Sequence, residues 1–181
     1  MARGQDLGQD HDPARDRCAV AQSRKMTMSG LITQLEREAA ELIFPAFDEG
    51  TALALGQSLV TRALLAKLPV VINIRAANRV FFHAALPGSA PLNDHWAARK
   101  SATALMFQDA SYLVGLRNLV RGETLATHGL DMTQYADHGG AVPIRVQDGG
   151  VVAVVTVSGL PQAEDHALVI AAIRDVLPPR H

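Results

Sequence analysis

The sequence predicts an α+β fold in two layers, with a mainly antiparallel five-stranded sheet flanked by helices. Two paired runs rich in β-branched and apolar residues, 70–74 with 80–84 and 141–147 with 151–157, have the spacing of hairpins. Segments with the 3.6-residue apolar period of helices lie before, between and after these hairpins. Hairpin-connected strands mixed with such helices predict the α+β class.

The N-terminal half of the domain predicts two helices and one short strand before the first hairpin. A helical apolar period runs through 29–42. The segment 43–47 contains Pro45 and predicts a short edge strand. A helix rich in alanine and leucine follows from about 51 to 67, and it stops at Pro69 because proline cannot continue a helix.

Two helices and a loop separate the hairpins. Asn93 or Asp94 can cap a helix that extends to Phe107. A second helical stretch runs from about 111 to 120. Residues 121–140 are polar and contain glycine, so they predict a loop long enough to carry function.

The second hairpin leads into the last helix. Pro143 lacks the N–H group that a central strand needs, so it predicts an edge or a bulge. Asp148-Gly149 predicts a two-residue turn. The strand that follows stops at Ser158-Gly159, and an apolar helical stripe begins soon after it.

Composition indicates one domain. The chain has 181 residues, of which 48% are hydrophobic, and this is enough for one sizeable core. Residues 1–27 have no apolar period and predict a disordered arm, which leaves 28–181 as the domain. Cys18 is the one cysteine, so an internal disulfide and a cysteine-based zinc site are excluded, and we expect a cytoplasmic protein.

Charge and hydropathy exclude several classes of partner. A formal net charge of −1 and 4% aromatic residues give no basis for binding nucleic acid. No apolar run reaches the roughly 18 to 20 residues that span a bilayer, so we expect a soluble protein without a membrane partner. The histidines are too scattered for a metal-site spacing, and we predict no metal.

The strand-to-helix junction that begins at Ser158 is the most informative segment for function. Gly159 and the first turn of the helix offer free backbone N–H groups, which can bind an anion. His166 follows one turn into the helix and heads the apolar stripe, so it should face inward. The structural alternative is that Ser158 caps the helix and Pro161 occupies its first turn.

One helix carries a second group of candidate residues. Trp96, Arg99 and Lys100 are three and four residues apart, so their side chains are neighbours on the helix. Two cations beside an aromatic ring suit a carboxylate or phosphate ligand. A solvated helix face with a cation–π pair is the alternative.

A loop with two glycines supplies the third group. In His138-Gly139-Gly140 the glycines allow backbone N–H groups to approach a ligand closely. An ordinary entry into a strand is the alternative. If both hairpins share one sheet, the three groups converge on an anion-binding pocket. The predicted ligand-binding residues are Trp96, Arg99, Lys100, Gly139, Gly140, Ser158 and Gly159.

Two other groups of residues give weaker indications of chemistry. Glu38 and Glu41 lie one helical turn apart and could hold a hard cation, although an exposed helix face explains them as well. Ser158, Asp165 and His166 supply the residue types of a catalytic triad. The Gly-x-Ser-x-Gly elbow of such hydrolases is missing, which argues against that chemistry.

Three motifs of the chain resemble one protein family. They are Trp96-x-x-Arg99-Lys100, His138-Gly-Gly-Ala-Val-Pro-Ile and Val157-Ser-Gly-Leu-Pro-Gln-Ala-Glu-Asp-His166. The chain is similar, over about residues 30–177, to small haem-degrading-domain proteins of the GlcG/HbpS type, in their bacterial and fungal branch. The resemblance implies a profilin-like fold and a symmetric homo-oligomer. Alanine-rich helices with few charges are compatible with oligomer surfaces.

Three functional hypotheses follow from the residues and the resemblance. The first is an oligomeric protein that binds a small anionic ligand, with haem as the cofactor that the resemblance implies. The second is an enzyme in which His166 or His138 acts as general acid or base on a small anionic substrate. The third is an interaction module without a ligand.

Overall fold

The structure of the protein, a computed structural model, describes residues 28–179. The predicted disordered arm, with Cys18, lies outside the described residues. The first helix, α1, occupies residues 28–41. The elements that follow are β1 (Ile43–Phe44), α2 (Glu49–Leu65), β2 (Val71–Arg75), β3 (Val80–Ala85), α3 (Pro91–Phe107), α4 (Ser111–Arg121), β4 (Ala141–Val146), β5 (Gly150–Ser158) and α5 (Gln162–Val176).

The five strands form one sheet in the order β1-β4-β5-β2-β3. β1 runs parallel to β4, and the other three pairs are antiparallel. β5 is central, since its Thr156 pairs with Asn73 of β2 on one side and with Ala141 of β4 on the other. The predicted α+β class and the mainly antiparallel five-stranded sheet are therefore confirmed.

The two faces of the sheet are covered by different helices, because successive strand residues alternate between the faces. Ile72, Ile74 and Val155 belong to the large apolar core, which they share with α1, α2, α4 and α5. Val154 and Thr156 lie on the opposite face, where α3 packs. The structure thus has helices on both faces of the sheet, whereas the sequence predicted two layers.

Pro143 behaves as predicted. β1 pairs only with Arg145 and Val146 of β4, so β4 has no outer neighbour at Pro143. The register against β5 also shifts between Ile144 and Arg145, which is a bulge. The N–H group that proline lacks is therefore not needed at this position.

Two predicted element ends were wrong by a few residues. Val146 pairs with Gly150, so the turn around Asp148 has three residues instead of two. Asp148 and Gly150 adopt the left-handed conformation, with φ of 58° and 71°. α3 begins at Pro91, and Asn93 caps it from inside the first turn by accepting the N–H of residue 90 at 2.8 Å.

The start of α5 also differs from the structural alternative considered above. Ser158 is the last residue of β5 and does not cap the helix. Pro161 occupies the N-cap position, where its carbonyl oxygen accepts the N–H groups of Glu164 and Asp165. The predicted loop 121–140 contains one short 3₁₀ turn, Leu125–His128.

Within residues 28–179, no helix is long and apolar enough to cross a membrane. In the same part of the chain, no three His, Cys, Asp or Glu side chains form a group that could hold a metal ion.

Candidate functional site

A cleft of about 230 Å³ opens between the first half of α3 and the turn that joins β5 to α5. We call it the junction cleft. Most of the predicted site residues line it, and Arg99, Gly140 and His166 do not. Its lining residues are Asn93, Trp96, Lys100, His138, Gly139, Ser158, Gly159, Leu160, Gln162 and Asp165.

The floor of the junction cleft is a buried ion pair. The side chains of Lys100 and Asp165 are each 3% exposed, and Lys100 Nζ lies 2.9 Å from Asp165 Oδ2. Lys100 Nζ also donates to the carbonyl oxygens of Gly139 at 2.9 Å and Val157 at 2.7 Å. One side chain thus joins α3, β5, α5 and the loop before β4.

The geometry around Lys100 fixes its protonation state. Three acceptors around one nitrogen require three N–H donors, and only the protonated amine has three. Burial lowers the pKa of Lys100 and raises the pKa of Asp165, while their mutual attraction opposes both shifts. Lys100 is therefore an ammonium whose donors are all used within the chain. The contact predicted with an anionic ligand is made with Asp165.

The strand-to-helix junction binds an anion that belongs to the chain itself. Asp165 Oδ1 accepts the N–H of Leu160 at 3.0 Å. A backbone hydrogen bond from Gly159 also favours the ionised form of this carboxyl group, although burial remains the larger influence on its pKa. The Asp165 carboxylate therefore occupies the N–H groups of Gly159 and Leu160, which the sequence predicted as donors to a ligand.

The two glycines before β4 allow close backbone packing. Gly140 has a φ of +123°, and a Cβ atom there would lie 2.4 Å from Val157 O and 2.6 Å from Lys100 Nζ. A Cβ atom on Gly139 would lie 2.1 Å from Gln162 O. A side chain at either position would therefore clash with the backbone of Val157 or Gln162. Gly139 still lines the cleft, and Gly140 lies against the Lys100 ammonium.

A buried serine holds the glycine loop in place. Ser111, the first residue of α4, donates its hydroxyl proton to His138 O at 2.5 Å. The Ser111 hydroxyl oxygen in turn accepts the N–H of Ala141 at 3.1 Å. Because Ser111 is fully buried, the carbonyl and N–H on either side of the two glycines are paired without water.

The rim of the junction cleft offers groups that the chain does not use. The rings of Trp96 and His138 meet edge to face, with centroids 5.1 Å apart. The His138 side chain is 57% exposed, and its Nδ1 lies 3.8 Å from Asp137 Oδ1. The Ser158 hydroxyl has no partner within residues 28–179. A ligand in this cleft would therefore meet two rings and one free hydroxyl.

Arg99 points away from the junction cleft. Its guanidinium carbon lies 4.5 Å from the centroid of the Trp96 ring, and Nη2 donates to Met132 O at 2.5 Å and to Tyr135 O at 3.4 Å. Consecutive residues of a helix point roughly 100° apart, and here Lys100 lines the junction cleft while Arg99 does not. The cation–π pair given above as the alternative is present.

His166 is buried, as predicted, but it faces away from the junction cleft. Its Nε2 lies 3.5 Å from Glu38 Oε2 of α1, and its ring centroid is 5.6 Å from that of Tyr112. Burial lowers its pKa below the ordinary 6.5, which keeps it neutral at pH 7. The pocket beside it measures about 20 Å³, room for about one water molecule, so no substrate reaches this ring.

Asp165 is the main site residue that the sequence reasoning missed. It lies in the buried stripe of α5, four and eight residues before Val169 and Ile173. Lys100 likewise lies between buried alanines of α3. An isolated charge within a buried stripe needs a partner of opposite charge, and this signal could have paired the two residues.

Comparisons of sequence agree in their assignment. The family model described as "Haem degrading protein HbpS-like" matches residues 47–174. The UPF0303 protein of Streptomyces coelicolor is 48% identical over 143 residues, which cover 78% of this chain and 90% of the relative. The UPF0303 protein of Acidobacterium capsulatum is 40% identical over 149 residues, which cover 82% of this chain and 90% of the relative.

Solved structures have the same fold. The crystal structure of the Ybr137w protein matches with a TM-score of 0.71 at 30% identity, covering 78% of this chain and 84% of that one. The PduOC:heme complex matches with a TM-score of 0.61 at 21% identity, covering 71% and 94%. HbpS matches with a TM-score of 0.60 at 20% identity, covering 74% and 91%. At the last two identities the likeness concerns the fold alone.

Proposed function

This chain belongs to the HbpS-like family of haem-degrading proteins, and we propose that it is an oligomeric protein that binds a small ligand in the junction cleft. Family membership confirms the resemblance of the three sequence motifs. The ligand we propose is compact and has a flat, unsaturated part that lies against Trp96 and His138. A polar or anionic group of the ligand accepts a hydrogen bond from Ser158.

One observation carries this proposal: Trp96, His138 and Ser158 surround a single cleft with polar atoms that the chain leaves unused. Aromatic edges and faces recognise flat ligands by offset or edge-to-face contact. The Lys100–Asp165 floor is fully hydrogen-bonded, so it holds the rim in a fixed geometry. A rigid site loses little entropy when a ligand binds, which favours affinity.

Haem does not fit inside the junction cleft. The volume of about 230 Å³ is below the roughly 300–1,000 Å³ of pockets for drug-sized ligands, and the haem macrocycle is larger than those. His138 is the type of residue that ligates haem iron. The propionate groups would find no cation, since Lys100 has no free donor and Arg99 points elsewhere. Haem binding stays a prediction from the family.

Exposed apolar side chains support the oligomeric part of the proposal. Leu64 and Leu65 at the end of α2 are 50% and 81% exposed, and Leu119 with Val120 on α4 are 63% and 42% exposed. Neighbouring exposed leucines are typical of contact surfaces between chains. We expect light scattering at micromolar concentration to give the mass of several chains, and a monomer would contradict this part.

The enzyme hypothesis is supported only at His138. Asp137 beside Nδ1 can orient the imidazole for proton transfer to or from a group in the cleft. His166 has no access to a cleft of substrate size. The interaction-module hypothesis requires a cleft without ligand, and the ligand-retention experiment described next distinguishes it from the other two hypotheses.

The test compares ligand retention in matched variants. We expect native mass spectrometry to detect a small molecule on the wild-type protein and on His83→Ala, whose imidazole is exposed on β3 outside the cleft. His138→Ala and Ser158→Ala should lose it. In parallel, saturation-transfer NMR with benzoate should show binding that depends on His138, and a haemin titration should give no Soret shift that depends on His138.

Three outcomes would contradict the proposal. The first is a retained molecule that His138→Ala binds as tightly as the wild type. The second is the combination of no co-purifying molecule and no benzoate binding, which favours the interaction module. The third is a stoichiometric Soret shift abolished in His138→Ala, which would return haem to this site.

A further inference from the structure

A second cleft, of about 340 Å³, lies along α3 beside the end of β2. Arg75, the last residue of β2, forms one wall. His95 and Arg99, one turn apart on α3, form another, and small α3 side chains lie between them. Thr133 and Gln134 of the loop before β4 complete the lining. We call this the arginine cleft.

The arginine cleft concentrates positive charge without a counter-charge. No carboxylate lines it, and neither Arg75 nor Arg99 forms an ion pair within residues 28–179. In the neighbouring loop, Asp131 Oδ1 accepts a hydrogen bond from the N–H of Thr133 at 2.7 Å. Two guanidinium groups that face one cleft repel each other, and an anion between them would remove that repulsion.

Both arginines retain donors for a ligand. A guanidinium has five N–H groups. Arg99 uses Nη2 for two carbonyl oxygens, and its Nε is buried, so Nη1 is the group it retains for a ligand. Arg75 makes one long contact, from Nε to Ala76 O at 3.4 Å. Arg99 is also held in position by the Trp96 ring, so its Nη1 group is pre-oriented.

We propose that the arginine cleft binds a small oxyanion-bearing molecule, either phosphorylated or carboxylated, through Arg75 and Arg99. Planar guanidinium groups match the geometry of both carboxylate and phosphate oxygens. Thr133 and Gln134 add neutral hydrogen-bonding groups on the opposite wall. The volume of the cleft exceeds that of a single ion and lies within the roughly 300–1,000 Å³ range of small-molecule sites.

Trp96 provides a direct signal for this site. It is the only tryptophan of the chain, and the Arg99 guanidinium lies over its ring. An anion that binds Arg99 changes the charge over the indole ring and therefore its fluorescence. The arginine cleft and the junction cleft thus share this one reporter, and variants distinguish them.

The experiment titrates the full chain with inorganic phosphate and, separately, with citrate, at constant ionic strength. Trp96 fluorescence and calorimetry should both show saturable binding, and the tighter of the two anions identifies the ligand class. Arg75→Gln should weaken binding by about tenfold or more, because it removes a charge-assisted contact. The matched control is Arg79→Gln on the same hairpin, whose side chain pairs with Glu49 outside the cleft; it should bind as the wild type does.

A second variant, Arg99→Lys, tests the same site if Arg75→Gln does not fold. Arg99→Lys keeps the charge and loses the guanidinium plane that is anchored on Met132 O and the Trp96 ring, and we expect it to weaken binding by about tenfold as well. Two results would overturn the proposal: no saturable response of the wild type to either anion, or equal affinity in a folded Arg75→Gln or Arg99→Lys variant and in Arg79→Gln. His138→Ala should leave anion binding unchanged, which separates this site from the junction cleft.

Discussion

Replacing Lys100 with methionine should destabilise the protein more than almost any other single change on α3. The substitution keeps most of the side-chain volume and removes the charge. It leaves the Asp165 carboxylate, 3% exposed, without its cation, and it leaves the carbonyl oxygens of Gly139 and Val157 without this donor. Removing one partner of a buried pair costs about 3–5 kcal/mol. This is a large fraction of the ~5–15 kcal/mol that stabilises a typical domain.

Asp165→Asn should cost less than Lys100→Met. The ammonium then keeps two of its three acceptors, Gly139 O and Val157 O, and the amide oxygen can still accept the N–H of Leu160. The double variant should be more stable than the sum of the two losses predicts, by about 1–3 kcal/mol, because it leaves no unpaired charge.

The assay is guanidinium denaturation at pH 7, monitored by circular dichroism, with the free energy of unfolding extrapolated to water. Arg79→Met is the control, because its pair with Glu49 is exposed and should cost less than about 1 kcal/mol. The reasoning is refuted if Lys100→Met also costs less than about 1 kcal/mol, or if the losses of the two single variants add without coupling.

Three further predictions concern other parts of the chain. Burial depresses the pKa of His166 below 6.5, so its contribution to stability is present above pH 6.5 and is lost as the pH falls toward the folded pKa; urea midpoints at pH 7.5 and 5 should differ less in His166→Gln than in the wild type. Gly140→Ala should cost more than about 2 kcal/mol, since a Cβ atom would meet Val157 O. Gly129→Ala has a positive φ but open space around it and should cost about 1 kcal/mol; thermal unfolding of both variants measures the difference. Arg62 holds the pKa of Asp175 at about 2, and this exposed pair should stabilise the fold by less than about 1 kcal/mol at pH 7. The stabilisation should be lost as the pH falls from 3.8 toward 2 and should be smaller in high salt, and thermal melting at a series of pH values with and without salt measures both effects.

The sequence predicted the elements of the fold well and their layering poorly. Both hairpins were predictable because β-branched runs and turn residues are local signals. The position of α3 was not, because its sheet-facing side presents small and polar residues such as Ala97, Ser101 and Ala104 in place of an apolar stripe. Its contact with the sheet includes a buried hydrogen bond between the hydroxyl groups of Ser101 and Thr156, 2.7 Å apart, and such a pair is invisible to apolar periodicity.

The convergence of the three motifs could be predicted from the sequence, whereas the contacts among their side chains could not. Motifs distant in sequence did converge on one cleft, because α3, the glycine loop and the β5–α5 junction all meet near the end of β5. The sequence predicted that Lys100 and the junction N–H groups bind an external anion. The buried stripes marked Lys100 and Asp165 as charges that need partners, but apolar periodicity is local and does not register a pairing between residues 65 positions apart.

The angular spacing of helical residues explains why the predicted anion pocket became two clefts. Lys100 and Arg99 are consecutive on α3, so the first enters the floor of the junction cleft while the second lies over Trp96 and lines the arginine cleft. Lys100 is neutralised within the chain, and Arg99 is not. The positive charge that the sequence assigned to one ligand site is therefore available in the arginine cleft, beside Arg75. The two ligands proposed above, one anionic and one flat, would then bind on different sides of the same helix.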